Sequence, residues 1–192
     1  MPDNTVINNI RPDTITIAHG AFYNCTGLTD ITIPASVTSI GDETFYGCSN
    51  LASITIPEGV TSIGSYAFSG CVSLSAITVD ANNPNYASES GILYNKAKTE
   101  IVVVPQGISG NVTLPASLTS IGNEAFADCT SLTSITIPTS VRSIGDKAFN
   151  RWTGSQTIYV RGKANQAAAD KAWGYTGGWR ASGHYAKIVY GQ

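Results

Sequence analysis

Four cysteines, two histidines and a scatter of carboxylates are the residues with which this chain of 192 could do chemistry. Cys25, Cys48 and Cys71 recur every 23 residues, and Cys129 falls in the same local pattern. A structural metal site would need Cys-x-x-Cys pairs or a neighbouring histidine, and neither occurs. The regular placement marks instead a column of inward-pointing thiols that behave as small apolar groups. His19 stands at a position resembling a helix N-cap and His184 near the C-terminus, so a triad or metal pair built on them is disfavoured. Glu43 and Glu124 hold equivalent outer positions several repeats apart and read as solvated carboxylates. Asp80, Asn82, Asn83 and Asn85 offer oxygens to calcium, but without the spacing of a calcium loop; turn formation is the preferred reading. The sequons Asn24-Cys25-Thr26 and Asn111-Val112-Thr113 follow from the repeating pattern itself. No nucleophile, base and oxyanion donor converge, so no catalytic residue, metal ligand or cofactor is assigned, and the chain reads as not an enzyme.

The elements that hold these residues are written as a repeat. Ile31-Thr32-Ile33-Pro34, then Val37, Ile40-Gly41, Phe45, Cys48 and Leu51, restarts 23 residues later at Ile54-Thr55-Ile56-Pro57 and runs through Val60, Ile63-Gly64, Phe68, Cys71 and Leu74. Two further copies begin at Val112 and Ile135, and a degenerate first copy occupies about residues 8–30. A short fixed period over most of a chain is the signature of a solenoid. The Ile-x-Ile alternation predicts a short strand with two branched side chains turned inward, and the proline after it cannot donate to a ladder, so the strand stops there. Val37 and Ile40 predict a second extended piece. Asp42, Ser65, Asn123 and Asp146 are good helix N-caps, and the apolar spacing at Thr44, Phe45 and Cys48 predicts one helical turn on the outer wall of each coil. Burying about seven apolar groups cannot offset the ordering of a whole coil, so the coils must stack to fold.

Two departures break the period. From Ile77 to Val112 there are 12 residues more than one repeat. The extra material includes strand-like runs at Gly91–Tyr94 and Glu100–Val104, joined across residues 95–99, and predicts a β-hairpin elaboration of one coil at about residues 80–111. Past residue 157 come a strand at Ile158–Val160, a helix within 164–173 and a strand at 187–190, and all three tryptophans lie between Trp152 and Trp179. Residues 158–192 are expected to cap the open end of the core. The expected organisation is one domain over 1–192, with repeats in 8–157.

The string Leu-x-x-Ile-x-Ile-Pro-x-x-Val-x-x-Ile-Gly-x-x-Ala-Phe-x-x-Cys, spelled by Leu51–Cys71 and by Leu132–Phe149, closely resembles the BspA-type leucine-rich repeat. The insertion Asn83-Pro84-Asn85-Tyr86 through Gly91-Ile92-Leu93-Tyr94-Asn95-Lys96 resembles the elaborated repeat common in these proteins. The local departures are Thr44 for Ala, Trp152 for the repeat Cys, and a first copy without the Ile-x-Ile-Pro signature. The resemblance implies an α/β repeat solenoid from a secreted or cell-surface bacterial protein. It also implies an adhesin-like role towards host matrix proteins or other cells.

Composition narrows the partners further. Charged residues make up 12% of the chain, against roughly 25% in an average domain, and the net charge is -2. That is no footprint for a phosphate backbone, so nucleic acid is not an expected partner. No run is apolar enough to insert into a membrane. The start Met1-Pro2-Asp3-Asn4 lacks the basic and apolar regions of a secretory signal, so either the protein is cytosolic, or a signal is cleaved or lies outside this sequence. The outward residues of the strands are Thr32, Thr55, Thr78, Thr113 and Thr136, with Tyr159 in the terminal strand. Strands stack about 4.7–4.9 Å apart, so these six are expected to form a hydroxyl ladder, flanked by Ser39, Ser62, Ser120 and Ser143. Threonine also favours strands for its own packing, which explains the row without any ligand. Read as a site, the ladder is a flat neutral surface for a protein strand or glycan, carried by a monomer. A spacer without a ligand of its own is the alternative.

Overall fold

The protein is described here by a computed structural model that covers residues 9–173 and 186–191. The chain divides into two compact units, the first made of residues up to 96 with 105–107, the second of 97–104 with 108 onward. The expected strand at 187–190 is present, whereas Trp179 and His184 lie outside the described residues.

In the first unit, β1 (Thr16–Ile17), β2 (Ser39–Ile40), β3 (Ser53–Ile56), β4 (Ser62–Ile63) and β5 (Ala76–Val79) are parallel strands of successive coils, followed by β6 (Tyr86–Glu89) and β7 (Ile92–Asn95). Ile17, Ile40 and Ile63 stand in register along β1, β2 and β4, while Ile54 faces Ile77 across β3 and β5. Ile54 and Ile56 are buried and Ser53 and Thr55 exposed, as period-two alternation requires. The glycines of the Ile40-Gly41 and Ile63-Gly64 pairs permit the coils to approach: a Cβ on Gly41 would lie 2.7 Å from the His19 amide nitrogen. The phenylalanines stack in a column, Phe22 on Phe45 at 5.2 Å and Phe45 on Phe68 at 5.5 Å.

The outer wall differs from the expected helical turn. Tyr46 N donates to Glu43 O and Cys48 N to Phe45 O, two tight turns, while Glu43 adopts φ 51° and Gly47 φ 70°. A left-handed residue at each end stops helix propagation. The amides of Glu43, Phe45 and Gly47 then point at the next coil, donating to the carbonyls of Ser65, Ala67 and Ser69 at 2.9, 2.8 and 2.8 Å. Apolar spacing at Thr44, Phe45 and Cys48 serves two tight turns as well as it serves one helical turn. The supposed caps also work between coils. Asp42 Oδ1 accepts from Ser65 N at 2.7 Å, and Asn123 Oδ1 from Asp146 N at 2.9 Å.

In the elaborated coil both expected strands are present, as β7 and, in the second unit, β8 (Ile101–Val103). A further strand precedes them: β6 pairs antiparallel with β7, Glu89 opposite Ile92, across Ser90 and Gly91 at φ 52° and 79°. Two consecutive positive φ values are what a tight hairpin turn demands.

The second unit continues through β9 (Gly110–Thr113), β10 (Ser120–Ile121), β11 (Leu132–Ile137), β12 (Ser143–Ile144), β13 (Thr157–Val160), α1 (Gln166–Trp173) and β14 (Lys187–Tyr190). Its main sheet has the order β14-β13-β11-β9, all parallel. Trp152 takes the place of the repeat cysteine and Trp173 anchors α1, its Nε1 donating to Val141 O at 3.0 Å.

Candidate functional site

The outward faces of the parallel sheets carry the expected hydroxyls, in two groups rather than one row. In the first unit Thr55 and Thr78 are register partners on β3 and β5, and both are exposed. Thr32, also exposed, forms a parallel bridge with Asn9. The other edge of β5 is occupied by the hairpin, where Ile77 N donates to Gly91 O at 2.9 Å and Val79 N to Ser88 Oγ at 3.1 Å. In the second unit Thr136 is flanked by Thr113 on one side and Tyr159 on the other. Thr113 is exposed, whereas Thr136 and Tyr159 are half-buried. The insertion interrupts the expected ladder, because its hairpin takes the hydrogen-bonding edge that the next coil would use.

A second observation separates these hydroxyls from those of Thr38, Thr61 and Thr119. Thr61 Oγ1 donates to Thr38 O, Thr119 Oγ1 to Thr99 O, and Ser62 Oγ to Ser39 Oγ at 2.9 Å, so these three hydroxyls spend their hydrogen bonds between coils. Among the described residues, none of the side-chain hydroxyls of Thr32, Thr55, Thr78, Thr113, Thr136 and Tyr159 has an internal partner. They are donors and acceptors facing outward without charge, and no cation-binding or catalytic group accompanies them on the strands.

The start of the insertion is bonded into the first unit through Asn83. Asn83 stands 23 residues after Val60 and fills the same core position, fully buried. Its Nδ2 donates to Pro57 O at 2.8 Å and Val60 O at 3.0 Å, and its Oδ1 accepts from Asn85 N and Tyr86 N. With Asp80 Oδ1 accepting from Asn82 N, this cluster builds a turn, as the sequence reading preferred over a calcium site. Asn83 was legible as a turn residue; its repeat register with Val60 was the signal for its buried place.

The thiols sort by depth. Cys48, Cys71 and Cys129 are buried, while Cys25 is exposed, because the inward column ends at the first coil. Cys48 Sγ donates to Phe22 O and Cys71 Sγ to Phe45 O, both at 3.1 Å. Burial pushes the Cys48 and Cys129 thiols up to about 12 and Cys71 up to about 11, which keeps all three protonated and unreactive at neutral pH. His19 is exposed on an outer turn, and Glu43 and Glu124 lie in different units. No group of three or more metal-ligating side chains gathers among the described residues, and no helix among them is long and apolar enough to cross a membrane.

Comparison with known proteins gives these features a setting. The family model described as the BspA type leucine rich repeat region matches residues 15–110 and 109–169, with six copies. A leucine rich cell surface protein from Faecalibacterium prausnitzii is similar in structure at 32% identity and a TM-score of 0.65, over 79% of this chain and 40% of that one. The pneumococcal vaccine antigen PcpA is similar at 24% identity and a TM-score of 0.62, over 75% of this chain and 38% of its own. A leucine-rich repeat protein from Eubacterium ventriosum is similar at 24% identity and a TM-score of 0.55, over 76% of this chain and 51% of its own. The last two likenesses concern the fold alone. The chain thus spans about 40% of the length of the first two of these proteins. No curated protein sequence matches it.

Proposed function

Because the chain belongs to the BspA-type leucine-rich repeat family, we propose that it is a non-enzymatic interaction module of a secreted or cell-surface bacterial protein. It binds a host matrix protein, another cell or a glycan through its strand faces, with both units acting as one monomeric repeat domain. The observation that carries this reading is the contrast between hydroxyl rows. Hydroxyls at Thr61 and Thr119 serve the fold, whereas those at Thr55, Thr78, Thr113 and Thr136 face outward without internal partners. Neutral hydroxyls can be desolvated in a complex at far lower cost than charges. The F. prausnitzii relative is a cell surface protein, which is why the same setting is proposed here.

The experiment is an array of immobilised matrix proteins and glycans, probed with the wild type and with Thr55→Lys/Thr78→Lys and Thr113→Lys/Thr136→Lys variants. Lysine at these outward positions leaves the core untouched, so circular dichroism and melting should be unchanged while binding weakens by tenfold or more. If the variants bind as the wild type does, the threonine faces are structural only. A hairpin variant, residues 80–111 replaced by a plain coil, that loses binding while the lysine variants keep it would transfer the site to the insertion. Silence across the array would favour a spacer role.

A further inference from the structure

We propose that the outer wall of the first unit, around Tyr23, Tyr46, Glu43 and Tyr66, is a docking surface for a lysine- or arginine-rich polypeptide segment. This surface is distinct from the threonine faces and would engage a second partner.

Charge is divided unevenly between the two units. The first holds two lysines or arginines against eight aspartates or glutamates, a net of -6, and the second nine against five, a net of +4. The near-neutral total conceals a strongly acidic unit, whose field attracts cationic partners. On its outer wall, large aromatic side chains stand in water. Tyr23 is 48% and Tyr66 69% exposed. Tyr23 and Tyr46 stack with centroids 5.0 Å apart and planes 7° from parallel. Glu43 and Tyr66 occupy the same position of successive coils, tied by the bond from Glu43 N to Ser65 O, and the turn bond from Tyr46 N to Glu43 O joins the stacked pair to them. Asp42, beside Glu43, is pinned by its bond from Ser65 N.

The repeat holds a left-handed backbone at this position. Gly20, Glu43 and Tyr66 share it at φ 60°, 51° and 55°, as do Glu124 and Lys147 in later coils at 54° and 52°. Glycine takes such a φ without strain, and a side chain there costs stability. The first coil shows that glycine fits, yet the next two carry a carboxylate and an exposed phenol. Tyrosine faces attract guanidinium and ammonium groups, and an adjacent carboxylate supplies the charge-assisted hydrogen bond. Together these select a basic peptide rather than a neutral sugar.

Fluorescence anisotropy with a labelled twelve-residue peptide of alternating arginine and serine tests this, at low and at physiological ionic strength. The decisive variant is Glu43→Gly/Tyr66→Gly, which places the first coil's residue at both positions and therefore does not threaten folding. Its affinity should fall about tenfold, with melting unchanged or raised. Glu58→Gln removes one exposed carboxylate away from the wall and should change affinity less than twofold. Equal losses in the double variant and in Glu58→Gln would reduce the effect to net charge and overturn the proposal. So would wild-type binding by the double variant, or retention of a neutral oligosaccharide instead of the peptide.

Discussion

Replacing Asn83 with valine restores the residue that the repeat places at this position in the two preceding coils, Val37 and Val60. Substitution towards a repeat consensus ordinarily stabilises, and the sequence pattern alone would recommend it. The structure predicts the opposite. Asn83 is fully buried and makes four hydrogen bonds, to Pro57 O, Val60 O, Asn85 N and Tyr86 N. Valine can make none of them. Pro57 O keeps a second donor in Val60 N, and the Asn85 amide belongs to an exposed residue that water can reach. The net loss is therefore that of about two unsatisfied groups at roughly 1–3 kcal/mol each, or about 3 kcal/mol. For a chain of this size that is about 6–12 °C in melting temperature. Thermal and urea unfolding followed by circular dichroism measure it, and hydrogen exchange at the Tyr86 amide should accelerate. A melting temperature equal to or above that of the wild type would refute the reasoning.

Two further perturbations follow from the same bonds. Trp152, fully buried, supplies through Nε1 the bond to Phe126 O at 2.8 Å that the cysteine thiols of other coils make to theirs. Trp152→Phe should cost about 2 kcal/mol, while Trp152→Cys, although it restores the repeat residue and its donor, leaves a cavity and should cost about 3–5 kcal/mol. Unfolding midpoints that rank the cysteine variant above the phenylalanine variant would contradict this. A thiol reagent at neutral pH should label Cys25 alone, with Cys48, Cys71 and Cys129 reacting only after unfolding. Since the folded state holds those three protons more tightly than the unfolded chain does, their contribution to stability is complete below pH 9 and is lost as pH rises towards about 11–12. A melting temperature measured across that range that stayed flat, with cysteines intact by mass, would count against the buried column.

Much of this fold is legible in the residues because its strongest signals are periodic. Ile54, Ile56 and Val60 repeat the offsets of Ile31, Ile33 and Val37, and one buried face per strand leaves no alternative register. The outer wall was less legible. Thr44, Phe45 and Cys48 have spacing common to a helical turn and to two tight turns, and only the left-handed backbone at Glu43 and Gly47 separates them. Strand β6 escaped notice because Tyr86-Ala87-Ser88-Glu89 has neither branched residues nor clear alternation, although Ser90-Gly91 offered a turn. The threonine row could be drawn from sequence, but its interruption at Thr78 depends on where the hairpin folds back. The contrast between Thr55 and Thr61, two hydroxyls six residues apart with opposite employment, is visible only in three dimensions.

The most direct test of the binding-face account is a threonine-methyl NMR footprint, recorded with the protein bound to whichever array ligand it retains. The account predicts that the methyl signals of Thr55, Thr78, Thr113 and Thr136 shift or broaden, while those of Thr38, Thr61 and Thr119 hold still. Perturbations confined to residues 80–111, or to the row of Thr38, Thr61 and Thr119, with the four strand threonines unmoved, would contradict it.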